Sequence, residues 1–199
     1  MMMMWLPPEK AAHNPMKKNI GIHIGDLYAS RAPAIVSTLL GSCVAVCLYD
    51  PKERIGGMNH FLLPGKADLK QFDPSARYGI NAMELLINRI MAAGGEKSRL
   101  VAKVFGGANI LPLISEEYAM GPKNIEFVLD FLRIESIRVI SWDLGGVQAR
   151  KVLFHTDTGV VFLKRLPSAY DSNLEQEERQ ALEVARKKAR KRSKIDLFK

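Results

Sequence analysis

The segment spanning residues 37–64 restricts the fold more than any other part of the sequence. Residues 44–49 form an apolar, β-prone run, residues 50–53 have the composition of a turn, and residues 55–63 form a second apolar run. Two such runs around a short turn predict an antiparallel β-hairpin. Both cysteines of the chain and one of its four histidines lie in this segment. The pairing of the hairpin therefore decides which reactive side chains meet.

The centre of the hairpin determines which side chains face one another. With the turn centred between Pro51 and Lys52, paired positions sum to 103, which places Cys43 directly across from His60. Directly opposed residues share a face of the sheet, with Cβ atoms about 4.5–5.5 Å apart. A thiol and an imidazole at that separation can exchange a proton, which predicts a nucleophile and its base. The alternative is a buried cysteine beside a hydrogen-bonded core histidine, because free cysteine is among the most buried residue types.

Small and hydroxyl-bearing residues precede the cysteine. Gly41 and Ser42 supply flexible backbone directly before Cys43, and their N–H groups are expected to face an oxyanion that forms there. Ser37 and Thr38 lie in the stretch that leads to Cys43. Their hydroxyl groups are expected to hydrogen-bond to backbone groups of a loop there. The predicted site thus includes backbone support from Gly41 and Ser42.

Several motifs in the chain resemble the CheD family of chemoreceptor glutamine deamidases. They are T-L-L-G-S-C-V-A-V-C-L-Y-D-P from residue 38, G-G-M-N-H-F-L-L-P from residue 56, A-R-Y-G at 76–79, A-K-V-F-G-G-A at 102–108, G-P-K-N at 121–124 and D-L-G-G at 143–146. They occur in the expected order, and the resemblance covers about residues 19–165. A single short motif is weak evidence, whereas this ordered series is strong.

The resemblance implies a cysteine hydrolase that converts selected glutamine side chains of methyl-accepting chemotaxis proteins to glutamate and releases ammonia. By position, Cys43 is the nucleophile and His60 is the general base. The third residue of the family is a threonine six places before the cysteine, and it orients the histidine. Ser37 occupies that position here and Thr38 follows it. Because either hydroxyl can accept the imidazole N–H, both remain candidates.

Two other functions are compatible with the same residues. The Cys-His pair is also expected to hydrolyse a receptor methyl ester, because only the leaving group differs. A non-catalytic adaptor is the alternative from another class, since the resemblance also implies binding to a CheC-type phosphatase. No metal or other cofactor is expected, because four histidines and two cysteines scattered over the chain form no convincing ligand set.

Cysteine usage and charge give further expectations. Cys43 and Cys47 lie about 13 Å apart along one strand, too far for a disulfide, which favours the reducing cytosol. The resemblance implies recruitment from there to membrane-bound receptor arrays. The net charge is +8, and seven basic residues lie in 186–194, so the rest of the chain carries about +1. Nucleic-acid binding is not expected, because no aromatic residues are interleaved with this run. The basic tail is instead a candidate for contact with anionic lipid, at about 1 kcal/mol per basic residue.

Composition and spacing divide the chain into a disordered leader at 1–15, a single catalytic domain at 16–170 and a charged tail at 171–199 that is partly helical or disordered. Besides the hairpin, the patterns predict helices over 77–93 and over 114–118 with 121–132, and strands over 17–25, 100–105, 137–142, 152–154 and 160–165. These elements predict an α+β fold, a layered α/β sandwich with packed helices on a mixed, largely antiparallel sheet. The resemblance implies an α/β/α-type order of layers.

Overall fold

The computed structural model describes residues 17–109, 120–167 and 171–192, with side chains of the last helix described for residues 176–187. The predicted leader at 1–15, the predicted helical segment at 114–118 and the end of the basic run lie outside these residues. Within them, no helix is both long and apolar enough to cross a membrane.

The described residues form nine strands and three helices. The strands are β1 (Lys18–Gly21), β2 (Leu27–Ser30), β3 (Ala34–Leu40), β4 (Val44–Asp50), β5 (Ile55–Phe61), β6 (Val101–Gly106), β7 (Arg138–Leu144), β8 (Arg150–His155) and β9 (Val161–Arg165). The helices are α1 (Pro74–Ala92), α2 (Met120–Ile134) and α3 (Asp171–Arg192). The predicted strands and the two predicted helices are present within a few residues of their expected bounds, whereas β2 and β3 were not predicted.

The strands form two mixed sheets. The five-stranded sheet has the order β2-β5-β4-β6-β7 and the four-stranded sheet has the order β1-β3-β8-β9. The pairs β1-β3 and β6-β7 are parallel, and the remaining pairs are antiparallel. This architecture confirms the predicted α+β sandwich with a mixed, largely antiparallel sheet.

The order of the layers differs from the α/β/α arrangement that the resemblance implies. Helices α1 and α2 cover one face of the five-stranded sheet, where Val44, Val46 and Leu48 of β4 enter a common core with both helices. Cys43, Ala45 and Cys47 point to the opposite face, into a second core shared with the four-stranded sheet. This alternation follows from the two-residue period of a strand. A second sheet therefore occupies the layer in which helices were expected.

Helix α1 begins three residues earlier than predicted because of its cap. The Asp73 carboxylate accepts a hydrogen bond from the Ala76 N–H at 2.7 Å, and Pro74 follows at the start of the helix. The helix ends just before Gly94, which has a φ of 104° and whose N–H donates to the Met91 carbonyl at 2.9 Å.

The predicted register of the β4-β5 hairpin is wrong by two residues. Asp50 pairs with Ile55 and Ala45 pairs with His60, so paired positions sum to 105 and Cys43 is not directly opposite His60. The turn contains four residues because Arg54 adopts a left-handed conformation with a φ of 57°. A shift of two positions preserves the face of every side chain. Cys43 and His60 consequently lie on the same face as diagonal neighbours.

Candidate active site

The predicted site residues lie between the two sheets, at the open end of the β4-β5 hairpin. Cys43 directly precedes β4, and His60 lies near the end of β5. Thr38 comes from β3 of the other sheet, which passes over this end of the hairpin. All three side chains are buried, and His60 is only 3% exposed. The second sheet therefore supplies the group that contacts the histidine.

Thr38 determines the tautomer of His60. The Thr38 hydroxyl donates its single hydrogen to the Ile22 carbonyl, with an Oγ1–O distance of 2.8 Å. Thr38 Oγ1 also lies 2.7 Å from His60 Nδ1. Because the hydroxyl hydrogen is already used, Nδ1 is the donor in this second hydrogen bond and Nε2 carries the lone pair. Strand alternation points Ser37 to the opposite face of β3.

His60 is a neutral imidazole with one unpartnered ring nitrogen among the described residues. Its Nε2 atom is buried and has no hydrogen-bond partner among the described residues. Burial, reinforced by the nearby charge of His23, lowers the pKa of His60 to about 3. Buried ring nitrogens are normally hydrogen-bonded, and the lone pair on Nε2 is an exception that leaves this atom able to accept a proton.

The backbone of the cysteine segment is held by Gly106 and Gly107 at the end of β6 and by the residue that follows them. The Gly107 N–H donates to the Cys43 carbonyl at 2.7 Å, and the Ala108 N–H donates to the Gly41 carbonyl at 2.8 Å. Gly106 has a φ of 112°, and a Cβ atom there would lie 2.1 Å from the Cys43 carbonyl oxygen. Only glycine fits such an approach without strain. Close packing of the backbone against the cysteine segment thus explains this glycine pair.

Asn124 joins the two segments that carry the reactive side chains. Its side-chain Nδ2 donates to the Ser42 carbonyl at 2.9 Å, and its Oδ1 accepts from the Leu63 N–H at 2.9 Å. The residue is fully buried at the start of α2. The carbonyls of residues 41–43 therefore all accept hydrogen bonds from the body of the protein. This arrangement leaves donors of the same segment free to face the site.

Glu178 of α3 accepts hydrogen bonds from two donors of the cysteine segment. The Ser42 hydroxyl donates to Glu178 Oε2 at 2.5 Å, and the Cys43 N–H donates to Glu178 Oε1 at 3.2 Å. Burial, together with the charge of Glu178 and its hydrogen bonding, raises the pKa of the Cys43 thiol well above its ordinary value. In this arrangement Cys43 is a protonated thiol, and His60 is a neutral imidazole on the same face of the hairpin.

The second thiol has a different environment. Cys47 is free and buried, as is Cys43, which agrees with the prediction that the two form no disulfide. Burial raises the pKa of Cys47, and the charge of Lys103 opposes this only in part. Cys47 lies four residues along β4 and faces the core between the sheets. It therefore serves as an inert reference for Cys43.

Sequence reasoning did not identify three residues that the fold brings to the site. Asn124 and Tyr78 lie in the G-P-K-N and A-R-Y-G motifs, which could have marked them as positions near the cysteine. The pKa of Tyr78 is raised by burial and by the proximity of Cys43. Glu178 had no such signal, because it lies in a charged helix of low apolar content. Among the described residues, no group of three or more His, Cys, Asp and Glu side chains could hold a metal ion.

Comparison with known families gives a direct match. Residues 62–165 match the family model described as CheD chemotactic sensory transduction. The matched region begins two residues after His60, so it contains the Asn124 and Gly106-Gly107 segments but not the Cys-His pair. A solved structure described as Bacillus licheniformis hypothetical protein YfiH covers 64% of this chain and 60% of its own, at 16% identity and a TM-score of 0.38, which is too low to support an argument.

Curated relatives extend the match over most of the chain. A Shewanella oneidensis protein named probable chemoreceptor glutamine deamidase CheD 1 is 46% identical over 75% of this chain and 73% of its own length. A Vibrio vulnificus protein named probable chemoreceptor glutamine deamidase CheD is 38% identical over 89% and 88%. A Burkholderia thailandensis protein with the same name as the first is 41% identical over 92% and 80%. The chain therefore belongs to the CheD family.

Proposed function

We propose that this protein is a hydrolase that deamidates glutamine side chains of chemoreceptors, with Cys43 as the nucleophile. The names of its relatives support the reaction and the substrate. The receptors that it would modify are methyl-accepting chemotaxis proteins, which implies recruitment to receptor arrays at the membrane. His60 acts as the base, and Thr38 orients it.

The observation that carries this proposal is the free lone pair of His60. Thr38 Oγ1 accepts a hydrogen bond from His60 Nδ1 at 2.7 Å, so Nε2 is the basic atom. Nε2 is buried without a partner among the described residues. A purely structural histidine in a core is expected to satisfy both ring nitrogens. On the same face of the hairpin, Cys43 offers the proton that this atom lacks. Ser37, the other candidate for the orienting role, points away from the ring.

The chemistry follows in two halves. His60 Nε2 accepts the proton of the Cys43 thiol, and the thiolate attacks the carboxamide carbon of the glutamine. The Cys43 N–H and the Ser42 hydroxyl donate to the oxyanion that develops on the amide oxygen. The imidazolium then protonates the amide nitrogen as the C–N bond breaks. Ammonia departs, and the acyl group remains on Cys43 as a thioester. Water, deprotonated by His60, attacks the thioester and releases glutamate with the thiol restored.

The same intermediate is accessible from a receptor glutamate methyl ester. Attack by the Cys43 thiolate would release methanol in place of ammonia, and the thioester would be hydrolysed in the same way. We therefore include methylesterase activity on the same receptors in the proposal. Measurement of methanol from methylated receptor, with the variants described below, tests it directly.

The test of the proposal is the release of ammonia from a purified receptor cytoplasmic domain, with mass spectrometry of its glutamines. We expect Cys43→Ala to lose at least about 10⁴-fold in rate, because loss of a nucleophile removes the covalent route. The matched control is Cys47→Ala, which removes a buried thiol from the same strand and should retain activity. Equal deamidation by Cys43→Ala and wild type would contradict the proposal.

A binding measurement separates the enzyme from an adaptor. Wild type and Cys43→Ala are both expected to bind the receptor domain, because the substitution leaves the surface unchanged. If both proteins bind but wild type and the activated variants described below release no ammonia, the function is that of a non-catalytic adaptor. Pull-down with a CheC-type phosphatase would then test the partner that such an adaptor needs.

A further inference from the structure

We propose that helix α3 is an internal competitor of the substrate, and that Glu178 occupies the position of the product glutamate in the active site. This inference rests on the proposed function, because it assigns the ligand of the same site. It goes beyond that function in assigning a regulatory role to the C-terminal helix.

The first support is the way in which α3 packs. Its residues at helical spacing turn one face toward the protein, where Glu178 is 8% exposed and Ala185 is buried. Ala181 and Leu182 of the same face pack against the core that contains Cys43. Arg186 adds a hydrogen bond from Nε to the Pro64 carbonyl at 3.1 Å. The sequence predicts a charged tail that is partly helical or disordered, whereas this face of α3 covers the cysteine.

The second support is the chemistry of the Glu178 contacts. Both of its carboxylate oxygens accept hydrogen bonds from the cysteine segment, one from the Ser42 hydroxyl and one from the Cys43 N–H. Burial of a carboxylate is unfavourable unless such donors replace its water. These donors are the ones that the proposed mechanism assigns to the substrate oxygen. A glutamate side chain held there has the same chemical structure as the product of glutamine deamidation.

The third support is the effect on the nucleophile. Cys43 is completely buried under this arrangement, and a nearby negative charge disfavours its thiolate. A docked α3 therefore excludes substrate and also keeps the thiol protonated. A helix of the receptor that presents glutamine would have to displace α3 from the same donors. Displacement would open the site and remove the charge in one step.

Alkylation of Cys43 by iodoacetamide near neutral pH tests this assignment without any receptor. We expect Glu178→Ala to be alkylated at Cys43 about tenfold faster than wild type, a value within the usual range of coupling between two states. The matched control is Glu177→Ala, which removes the same charge from the adjacent, exposed position and should leave the rate unchanged. Cys47 in each protein is an internal reference, and its labelling should remain slow.

A second pair of variants detaches the helix without altering Glu178. Ala185→Glu places a charge in the buried face of α3, whereas Val184→Glu places it at a position that is 51% exposed. We expect rapid alkylation of Cys43 in the first variant and the wild-type rate in the second. Wild-type rates in both Glu178→Ala and Ala185→Glu would overturn the proposal. A fast rate in Ala185→Glu alone would overturn the role of Glu178 as the occupant.

Glu178→Gln gives the most direct test of the product position. This change presents a carboxamide to Cys43 in cis, and we expect its slow conversion to glutamate, detected by mass spectrometry. The conversion should be absent when Cys43→Ala is combined with it. If the Glu178→Gln variant deamidates receptor but the carboxamide introduced at position 178 is not converted, Glu178 does not occupy the product position. If Glu178→Ala accelerates alkylation but no variant deamidates receptor, the proposed function fails while the docking of α3 stands.

Discussion

The two ends of the β4-β5 hairpin are both polar and buried, but they differ in how their polar groups are satisfied. At the turn end, the Asp50 carboxylate is fully buried and accepts hydrogen bonds from the N–H groups of Lys52, Glu53 and Glu96 at 2.9–3.2 Å. Arg99 donates to both carboxylate oxygens, with its shortest contact at 2.7 Å. The donors around Asp50 all come from residues close to the turn or to the start of β6.

At the open end, the groups are only partly satisfied. His60 Nε2 has no partner in the part of the chain that the structure describes, and the Cys43 thiol is held in its protonated form. The carboxylate at this end, Glu178, belongs to a helix that begins more than 100 residues later in the chain. A saturated network stabilises the fold, whereas an unsaturated one retains the capacity to bind and react. Under the proposed function, the same hairpin is structural at its turn end and reactive at its open end.

His60→Ala should give the largest effect among the variants that probe this difference. We expect a loss of about 10⁴-fold in kcat/KM for receptor deamidation, because the thiol then lacks both its base and the acid that protonates ammonia. The substitution also removes the Nδ1 hydrogen bond to Thr38 and leaves a cavity at a buried position, so the rate is compared for protein shown to be folded by circular dichroism. The control is His23→Ala, at an exposed histidine. Retained activity in His60→Ala would show that the open end is not reactive in the way proposed.

Asp50→Asn should give the largest loss of stability. The substitution removes the negative charge that Arg99 faces, and it places an amide NH₂ opposite several hydrogen-bond donors. Loss of one partner of a buried ion pair lowers the free energy of unfolding by about 3 kcal/mol. Chemical denaturation measures the change in the free energy of unfolding. The control is Asp130→Asn, in an exposed ion pair with Arg133, where a change within about 0.5 kcal/mol is expected. A similar loss in both variants would remove the contrast between the two ends.

Acid provides an independent measure of the Asp50 network. Burial opposes ionisation, but hydrogen bonds from Arg99 and from three backbone N–H groups lower the pKa of Asp50 below its ordinary value. A group with a depressed folded-state pKa stabilises the protein above its unfolded-state pKa of about 3.9, and this contribution is lost as pH falls below that value. The stability difference between wild type and Asp50→Asn should therefore shrink below about pH 4. A constant difference would contradict the assignment.

Thr38→Val should give the smallest of these effects. It retains the shape of the side chain but removes the hydroxyl that fixes the tautomer of His60, and we expect a loss of about 10- to 100-fold in kcat with an altered pH profile. Thr38→Ser should restore both, because it retains the hydroxyl. Ser37→Ala is the matched control at the neighbouring position, which faces away from the ring. A larger loss in Ser37→Ala than in Thr38→Val would reverse the assignment of the orienting residue.

The hairpin was predictable because its information is local. Two continuous apolar runs and the D-P-K-E turn placed both strands almost to the residue, and they put Cys43 and His60 on one face. The register was wrong because the left-handed conformation of Arg54, a residue with no strong preference for it, lengthens the turn to four residues. The error was harmless only because a shift of two residues conserves the face.

The contact of Thr38 with His60 was not decided by the sequence. Spacing and resemblance left Ser37 and Thr38 as alternatives, and the segment was expected to be a loop. Its assignment to β3, paired with β8 more than 100 residues away, points one hydroxyl inward and the other outward. Distant pairing of this kind depends on the packing of the whole domain, which no local pattern encodes.

The sequence by itself determined the class of the fold, the hairpin with its thiol and imidazole on one face, and the family resemblance, because these depend on local period, turn composition and short motifs. Only the tertiary structure decided that Thr38 contacts the imidazole, that Asn124 and the glycine pair hold the cysteine segment, and that Glu178 covers it. These contacts join segments 22 to 136 residues apart. Their geometry follows from how two sheets and a terminal helix pack together, and that packing is a property of the folded chain as a whole.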